Sequence, residues 1–177
     1  QMHKFYGVPG GAVGGASDSK MPDMQAGSEQ MCSNVMAGLS GLNMVYEAAG
    51  MHASLLGFCL ESLILSDDII GQALRCVRGI EVTDETLALD QMAQVCMGGP
   101  GHYLGTDETL SRMQSDFVYP TLGDRTSPKE WAELGKPDLL EKATKRKEEI
   151  LTERSVARFE PQLDANLRKK HIIHLPN

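Results

Sequence analysis

The chain has 177 residues, and its 17 Lys and Arg against 24 Asp and Glu give a formal net charge of −7. An acidic chain without a long block of basic residues lacks the electrostatic footprint of a protein that binds nucleic acid or an anionic membrane surface. The apolar stretches are short and interrupted, so we expect no membrane-spanning helix, no secretory signal and a cytoplasmic location.

The length suits one ordinary domain with a packed core. Four cysteines occur without a C-x-x-C pair, which predicts buried free thiols rather than a disulfide framework. Six of the ten methionines fall between Met21 and Met51, and we interpret them as adaptable core packing rather than as metal ligands.

The first predicted elements are a strand and a helix. Residues 5–16 read F-Y-G-V-P-G-G-A-V-G-G-A, which is typical of a buried strand that ends in a glycine-rich turn. Apolar residues then recur at helical spacing over residues 23–39. The glycines do not form G-x-G-x-x-G and Met21 follows Lys20, so a phosphate-binding loop is the weaker alternative here.

A second strand and helix follow. Residues 42–49 lie between two glycines, and alternation places Val45 and Glu47 on one side with Tyr46 on the other. A helical pattern covers residues 54–78, and the acidic pair at 67–68 raises the alternative of two helices. Alternating strands and helices over about 80 residues favour a parallel α/β architecture.

The rest of the chain is predicted to be helix and loop. Helical patterns cover residues 84–97, 106–117 and 137–154, and a peripheral helix or arm covers 161–175. Ser127-Pro128-Lys129-Glu130 has the spacing of a capping box. The predicted buried face of the helix at 137–154 consists of Leu139, Leu140, Ala143, Ile150 and Leu151.

Two carboxylates are candidate functional groups. Asp18 lies in the turn after the first strand, where α/β proteins bind ligands, although a role in capping the next helix is the alternative. Glu47 lies near the end of the second strand, where a carboxylate is costly unless it is paired or used. Neighbouring strand residues face opposite sides, so only one of Tyr46 and Glu47 can point into a barrel interior.

The five histidines suggest no metal centre. His52 and His102 follow glycines in predicted loops, and either could enter a pocket. His171 and His174 have helical spacing but no nearby cysteine, so we expect them at the surface.

Several segments in one order resemble the trimethylamine methyltransferase family. They are D-S-K-M-P-D-M-Q-A at 18–26, G-L-N-M-V-Y-E-A-A-G-M at 41–51, G-H-Y-L-G at 101–105, Y-P at 119–120 and G-D-R at 123–125. The resemblance covers about residues 7–153.

The resemblance implies an α/β fold, namely the carboxyl-terminal part of a TIM (β/α)8 barrel that is helix-rich and ends in a helical tail. Residues 1–80 would be the last βα units and residues 81–177 a helical region of the same domain. A complete barrel needs about 250 residues, so we expect either a homo-oligomer or a missing amino-terminal barrel portion.

The resemblance also implies a corrinoid-dependent methyltransferase. Such an enzyme moves a methyl group from a methylated amine to the cobalt of a separate corrinoid protein, so the chain itself would bind no metal. The family's trimethylamine enzymes use pyrrolysine, whereas this sequence contains only standard residues. A quaternary amine such as glycine betaine is therefore the expected donor.

Aromatic faces and carboxylates hold quaternary ammonium groups. We expect a substrate-binding set without an assigned catalytic residue, and its members are Asp18, Tyr46, Glu47, His52 and Tyr103. The alternative function is a noncatalytic remnant that acts as an oligomerisation or interaction module.

Overall fold

The computed structural model describes residues 1–153 and 159–172. The predicted helix ends at 154 and 175, together with His174, lie outside these residues. The described elements, in chain order, are α1 (Met2–Tyr6), β1 (Gly11–Val13), α2 (Met24–Leu39), β2 (Met44–Tyr46), β3 (Met51–His52), β4 (Gly57–Phe58), α3 (Leu60–Arg78), α4 (Asp84–Leu87), α5 (Leu89–Cys96), α6 (Asp107–Ser115), α7 (Pro128–Glu133), α8 (Leu139–Glu153) and α9 (Pro161–Lys170).

A parallel crossover forms the centre of the fold. Strands β1 and β2 pair in parallel, with Gly11 opposite Met44 and Val13 opposite Tyr46, and α2 connects them. The α2 helix begins as predicted, because Asp23 Oδ1 accepts a hydrogen bond from the Ala26 N–H at 2.9 Å. The α/β class is confirmed, whereas the described residues do not close a barrel.

Both strands are shorter and less buried than predicted. The first strand covers Gly11–Val13, and the helix α1 occupies part of the segment assigned to it. The second strand ends at Tyr46 because Glu47 has a φ of 51° and leaves the extended conformation. The predicted alternation therefore does not continue through Glu47.

The two faces of the strand pair differ. Val45 lies on the α2 side, close to Asn34 and to the position of Gly14. Met44, Tyr46 and Val13 lie on the opposite face and are exposed. Helix α2 thus covers one face of the sheet and leaves the other without a covering layer among the described residues.

The second long helix begins later than predicted and has no break. An antiparallel hairpin, with Met51 opposite Phe58 and His52 opposite Gly57, occupies the expected first turns. Helix α3 (Leu60–Arg78) then continues without interruption. The acidic pair at 67–68 therefore does not divide it.

Asp68 anchors a distant loop to α3. Its carboxylate accepts hydrogen bonds from the backbone N–H groups of Thr121, Leu122 and Gly123 at 2.6, 2.8 and 2.9 Å. Burial acts to raise the pKa of Asp68, but the three N–H donors outweigh it and hold the pKa below its ordinary value.

The core consists mainly of small side chains. Ala26 and Ala37 of α2, Ala73 of α3 and Ala143 of α8 are buried. Small residues let helices approach closely, but each buries little apolar area. On α8 the predicted apolar face is confirmed at Ala143 and in part at Ile150, which is half-buried, whereas Leu139, Leu140 and Leu151 are exposed.

The burial predicted for most of the sulfur-containing residues was wrong, whereas the free state of the cysteines is confirmed. The cysteines are free, but Cys32, Cys76 and Cys96 are exposed rather than buried. Met24 and Met36 are likewise exposed, with relative accessibilities of 90% and 63%. These side chains lie on faces that no other described element covers.

The helical region divides more finely than predicted. Residues 84–97 form two short helices because Ala88 adopts a left-handed conformation with φ 50°. The capping box before α7 is confirmed, since Ser127 N donates to Glu130 Oε2 at 2.8 Å. None of the described helices is long and apolar enough to cross a membrane.

An ion pair joins α8 to α3. Lys147 Nζ donates to Glu61 Oε1 at 2.6 Å, and both side chains are largely shielded from solvent. The hydrogen bond from Lys147 is the main reason that the pKa of Glu61 falls from 4.5 to about 2.

We expect Asp68→Asn to lower the free energy of unfolding by about 2 kcal/mol, because an amide cannot accept all three N–H donors and presents its own donor to one of them. Urea unfolding monitored by circular dichroism measures the change. Asp67→Asn is the matched control, since Asp67 is an exposed carboxylate on the same helix. An equal decrease in the free energy of unfolding in Asp68→Asn and Asp67→Asn would contradict the anchoring role of Asp68.

The ion pair predicts a pH dependence of stability. Because the folded pKa of Glu61 is lowered, its contribution is complete above about pH 4.5 and is lost as the pH falls towards about 2. When the pH is lowered from about 6 to about 3, the free energy of unfolding of Lys147→Met should therefore decrease less than that of the original protein. Lys145→Met, which changes an exposed lysine of α8, should behave like the original protein in the same urea titrations.

Candidate functional site

Polar side chains gather at the carboxyl ends of β1 and β2. Parallel strands present these ends at the same edge of a sheet, which is where α/β proteins bind ligands. Gly14 N donates to Tyr46 O at 3.0 Å and extends the pairing beyond β1. Gly15, with φ 72°, then packs on the Ala48 backbone, where a side chain would collide.

Helix α2 holds the loop formed by residues 17–20. Glu29 Oε2 accepts hydrogen bonds from Ser17 Oγ at 2.5 Å and from Asp18 N at 2.9 Å, while Oε1 accepts from Gln25 Nε2 at 3.0 Å. The Ser17 hydroxyl contributes most to holding the pKa of Glu29 below its ordinary value. Glu29 was not among the predicted site residues, although a carboxylate on a helix after a glycine-rich turn was an available signal.

The hairpin holds the same loop from the other side. Ser17 N donates to Met51 O at 3.1 Å, and Ala53 N donates to Ser19 O at 2.9 Å. Ser54 Oγ donates to Asp18 Oδ1 at 2.7 Å. The loop that carries Asp18 is therefore fixed by two independent elements.

His52 lies beneath this loop and is almost fully buried. Its Nδ1 is 3.3 Å from Ser19 O, and its Nε2 is 2.6 Å from Ser62 Oγ. Because a carbonyl oxygen only accepts, Nδ1 donates to Ser19 O, and Nε2 shares a hydrogen bond with the Ser62 hydroxyl. Both ring nitrogens are thus engaged within the protein.

A polar network continues from His52 into the space between α2 and α3. Ser66 Oγ lies 2.6 Å from Ser62 O and 3.0 Å from Gln30 Oε1, and it accepts from Gly50 N at 3.3 Å. Gln30 Nε2 is buried and has no hydrogen-bond partner among the described residues. The site therefore rests on polar rather than apolar packing.

The structure places Tyr46 and Glu47 at the end of β2. Tyr46 is half-exposed on the face away from α2, with its ring over Gly11, where the missing side chain leaves room. Glu47 is exposed and follows the strand in a left-handed conformation. Both residues therefore lie near the same sheet edge as Asp18.

Tyr103 is not joined to this cluster. Its hydroxyl lies 3.7 Å from Cys96 Sγ, and that contact is the main reason its pKa is raised. Its carbonyl accepts from Thr106, so its hydrogen bonds in the described part of the chain are all local. His102 is exposed in the same loop.

A cavity of about 580 Å³ opens beside the Asp18 loop. Val13, Ala16 and Leu55 provide apolar walls, and Asp18 and Glu29 provide carboxylates. The Glu29 oxygens are occupied, whereas Asp18 Oδ2 accepts no hydrogen bond from the described residues. A free carboxylate oxygen beside apolar walls suits a cation with apolar substituents.

The described residues contain no group of three side chains able to hold a metal ion.

Residues 1–174 match the family model described as trimethylamine methyltransferase (MTTB). The chain is 33% identical to the glycine betaine methyltransferase of Desulfitobacterium hafniense, over 95% of this chain and 34% of that protein. It is 34% identical to trimethylamine methyltransferase MttB2 of Methanosarcina mazei, over 96% of this chain and 32% of that protein.

A similar match, 33% identity over 96% of this chain and 32% of the relative, links it to trimethylamine methyltransferase MttB of Methanosarcina barkeri. The chain thus spans about a third of the length of the curated relatives that it matches. With the family model covering nearly every residue, the chain belongs to the trimethylamine methyltransferase family.

Proposed function

We propose that this chain is part of a methyltransferase that moves a methyl group from a quaternary amine, such as glycine betaine, to the cobalt of a corrinoid protein. Family membership supports the reaction class. The observation that best supports a donor-binding site is the free carboxylate oxygen of Asp18. It lies beside apolar walls at the carboxyl ends of two parallel strands.

The chemistry of the donor explains why such a site suffices. A quaternary ammonium keeps its charge at every pH and leaves as a neutral amine, so no acid is needed to activate the leaving group. The cobalt of the partner protein supplies the electron pair that accepts the methyl group. The task of this chain is then to bind and orient the donor.

Each candidate residue has a defined part in the proposal. Asp18 attracts the ammonium, and Tyr46 and Glu47 add an aromatic face and a second negative charge near the same edge. His52 acts indirectly, because its ring nitrogens hold Ser19 and hence the Asp18 loop. Tyr103 is a more remote member that offers a partly exposed aromatic ring.

We further propose that residues 1–80 are the last βα units of a TIM barrel and that residues 81–177 are its helical carboxyl-terminal region. The uncovered face of β1 and β2 supports this arrangement, since an inner barrel face needs further strands. The greater length of the relatives also supports it. In such barrels the carboxyl ends of the strands form the active face.

The alternative function is a noncatalytic interaction module. The exposed face formed by Val13, Met44 and Tyr46 favours this alternative, since exposed apolar patches mark surfaces that contact other proteins. Size-exclusion chromatography with light scattering separates the cases. A stable monomer that binds methylated amines would exclude the module.

We expect Asp18→Asn to weaken the binding of glycine betaine by about tenfold, because the amide removes the negative charge that attracts the ammonium. Isothermal titration calorimetry on the protein as its source organism makes it gives the affinity. The neutral-centred analogue 3,3-dimethylbutanoate has the same shape without the ammonium charge, so its affinity should not fall. Asp67→Asn controls for the loss of an exposed carboxylate elsewhere.

Glu47→Gln should weaken betaine binding less than Asp18→Asn, because Asp18 lines the cavity whereas Glu47 lies outside its lining and solvent screens its charge. The same calorimetric comparison, repeated at low and high salt, measures this effect. An affinity unchanged at both salt concentrations would remove Glu47 from the site.

A further inference from the structure

The turn between β3 and β4 has an unusual backbone. Three successive residues, Ala53, Ser54 and Leu55, have φ values of 51°, 56° and 69°. This left-handed conformation brings the Cβ atom close to the following carbonyl oxygen, so residues other than glycine adopt it singly rather than in series. Backbone strain of this kind persists only where surrounding contacts hold it, and it is frequent at functional sites.

Three hydrogen bonds join this turn to the Asp18 loop. Ala53 N donates to Ser19 O at 2.9 Å, and Ser54 N donates to Ser17 O at 3.3 Å. Ser54 Oγ donates to Asp18 Oδ1 at 2.7 Å. The left-handed conformation thus turns two successive N–H groups and one hydroxyl towards the same short loop.

Ser54 fixes the orientation of the Asp18 carboxylate. The backbone of Asp18 is already held, since its N–H bonds Glu29 Oε2 and its carbonyl accepts from Lys20 Nζ at 2.8 Å. The Ser54 hydroxyl is the hydrogen-bond partner of the Asp18 side chain among the described residues. With Oδ1 occupied in this way, Oδ2 is left free beside the cavity.

We propose that Ser54 is a positioning residue for the methylated amine. The left-handed turn presents its hydroxyl to Asp18, and this fixes the carboxylate so that its free oxygen meets the ammonium group. The inference rests on the proposed function, because it requires Asp18 to bind the donor cation. It adds a residue and a backbone device that act through Asp18 without contacting the reacting methyl group.

Two substitutions remove the hydroxyl in different ways. Ser54→Ala keeps the disfavoured left-handed residue, whereas Ser54→Gly removes the hydroxyl and makes that conformation easier. Both should weaken glycine betaine binding by about three- to tenfold, and neither should change the binding of 3,3-dimethylbutanoate. Ser54→Gly keeps the test valid even if Ser54→Ala fails to fold.

Two further variants serve as controls. Ala53→Gly relaxes the same turn but retains the Ser54 hydroxyl, so it should bind betaine as the original protein does. Ser54→Asn should restore part of the affinity, because asparagine tolerates the left-handed conformation and its amide can donate to Asp18. A general distortion of the loop would instead weaken the binding of both glycine betaine and 3,3-dimethylbutanoate in every variant of the turn.

A double-mutant cycle separates this inference from the proposed site. If Ser54 acts through Asp18, then Ser54→Gly should cause no further loss of affinity in Asp18→Asn. If Asp18→Asn weakens binding and Ser54→Gly does not, the positioning role is wrong while the Asp18 site stands. If Asp18→Asn has no effect, or if the protein binds no betaine, the proposed site fails and the positioning role fails with it.

Discussion

The parallel crossover formed by β1, α2 and β2 is the constraint on which the rest of the structure depends. It brings the carboxyl ends of both strands to one edge, so that Asp18 and Glu47, which are 29 positions apart in the sequence, follow neighbouring strand ends. It also carries Glu29 on the connecting helix, directly under the loop that it holds. Without that crossover, the candidate site would be a set of unrelated turns.

Cohesion around this crossover depends heavily on polar contacts. The buried apolar side chains are mostly alanines, which contribute little burial energy. Distant segments are instead joined by hydrogen bonds to charged groups. The Asp68 carboxylate accepts from the N–H groups of residues 121–123, and Lys147 donates to Glu61. Such contacts are directional, and they fix loops more precisely than apolar packing does. This property suits a site whose task is to orient a donor.

Local signals in the sequence predicted local structure well. The capping box at Ser127 specified its helix through neighbouring N–H groups, and the structure confirms it; the predicted start of α2 at residue 23 is likewise confirmed, with Asp23 as its cap. The hairpin over residues 51–58 was missed because its left-handed turn, Ala-Ser-Leu at residues 53–55, contains no Asn-Gly or Asp-Gly pair. The roles of Asp68 and Ser54 arise from partners 53 and 36 positions away, which no local pattern specifies. The exposed methionines and cysteines were misplaced for a related reason, since amino-acid type does not reveal which faces another element covers.

We propose that the cluster at the carboxyl ends of β1 and β2 serves methyl transfer from a quaternary amine. Methylation of cob(I)alamin by the protein as its source organism makes it tests this claim most directly, with glycine betaine and trimethylamine supplied side by side and the product followed by its absorbance spectrum. We predict methylcobalamin formation that depends on the protein and is faster with glycine betaine than with trimethylamine. Absence of cobalamin methylation with both amines, in a protein shown to be folded, would contradict the account.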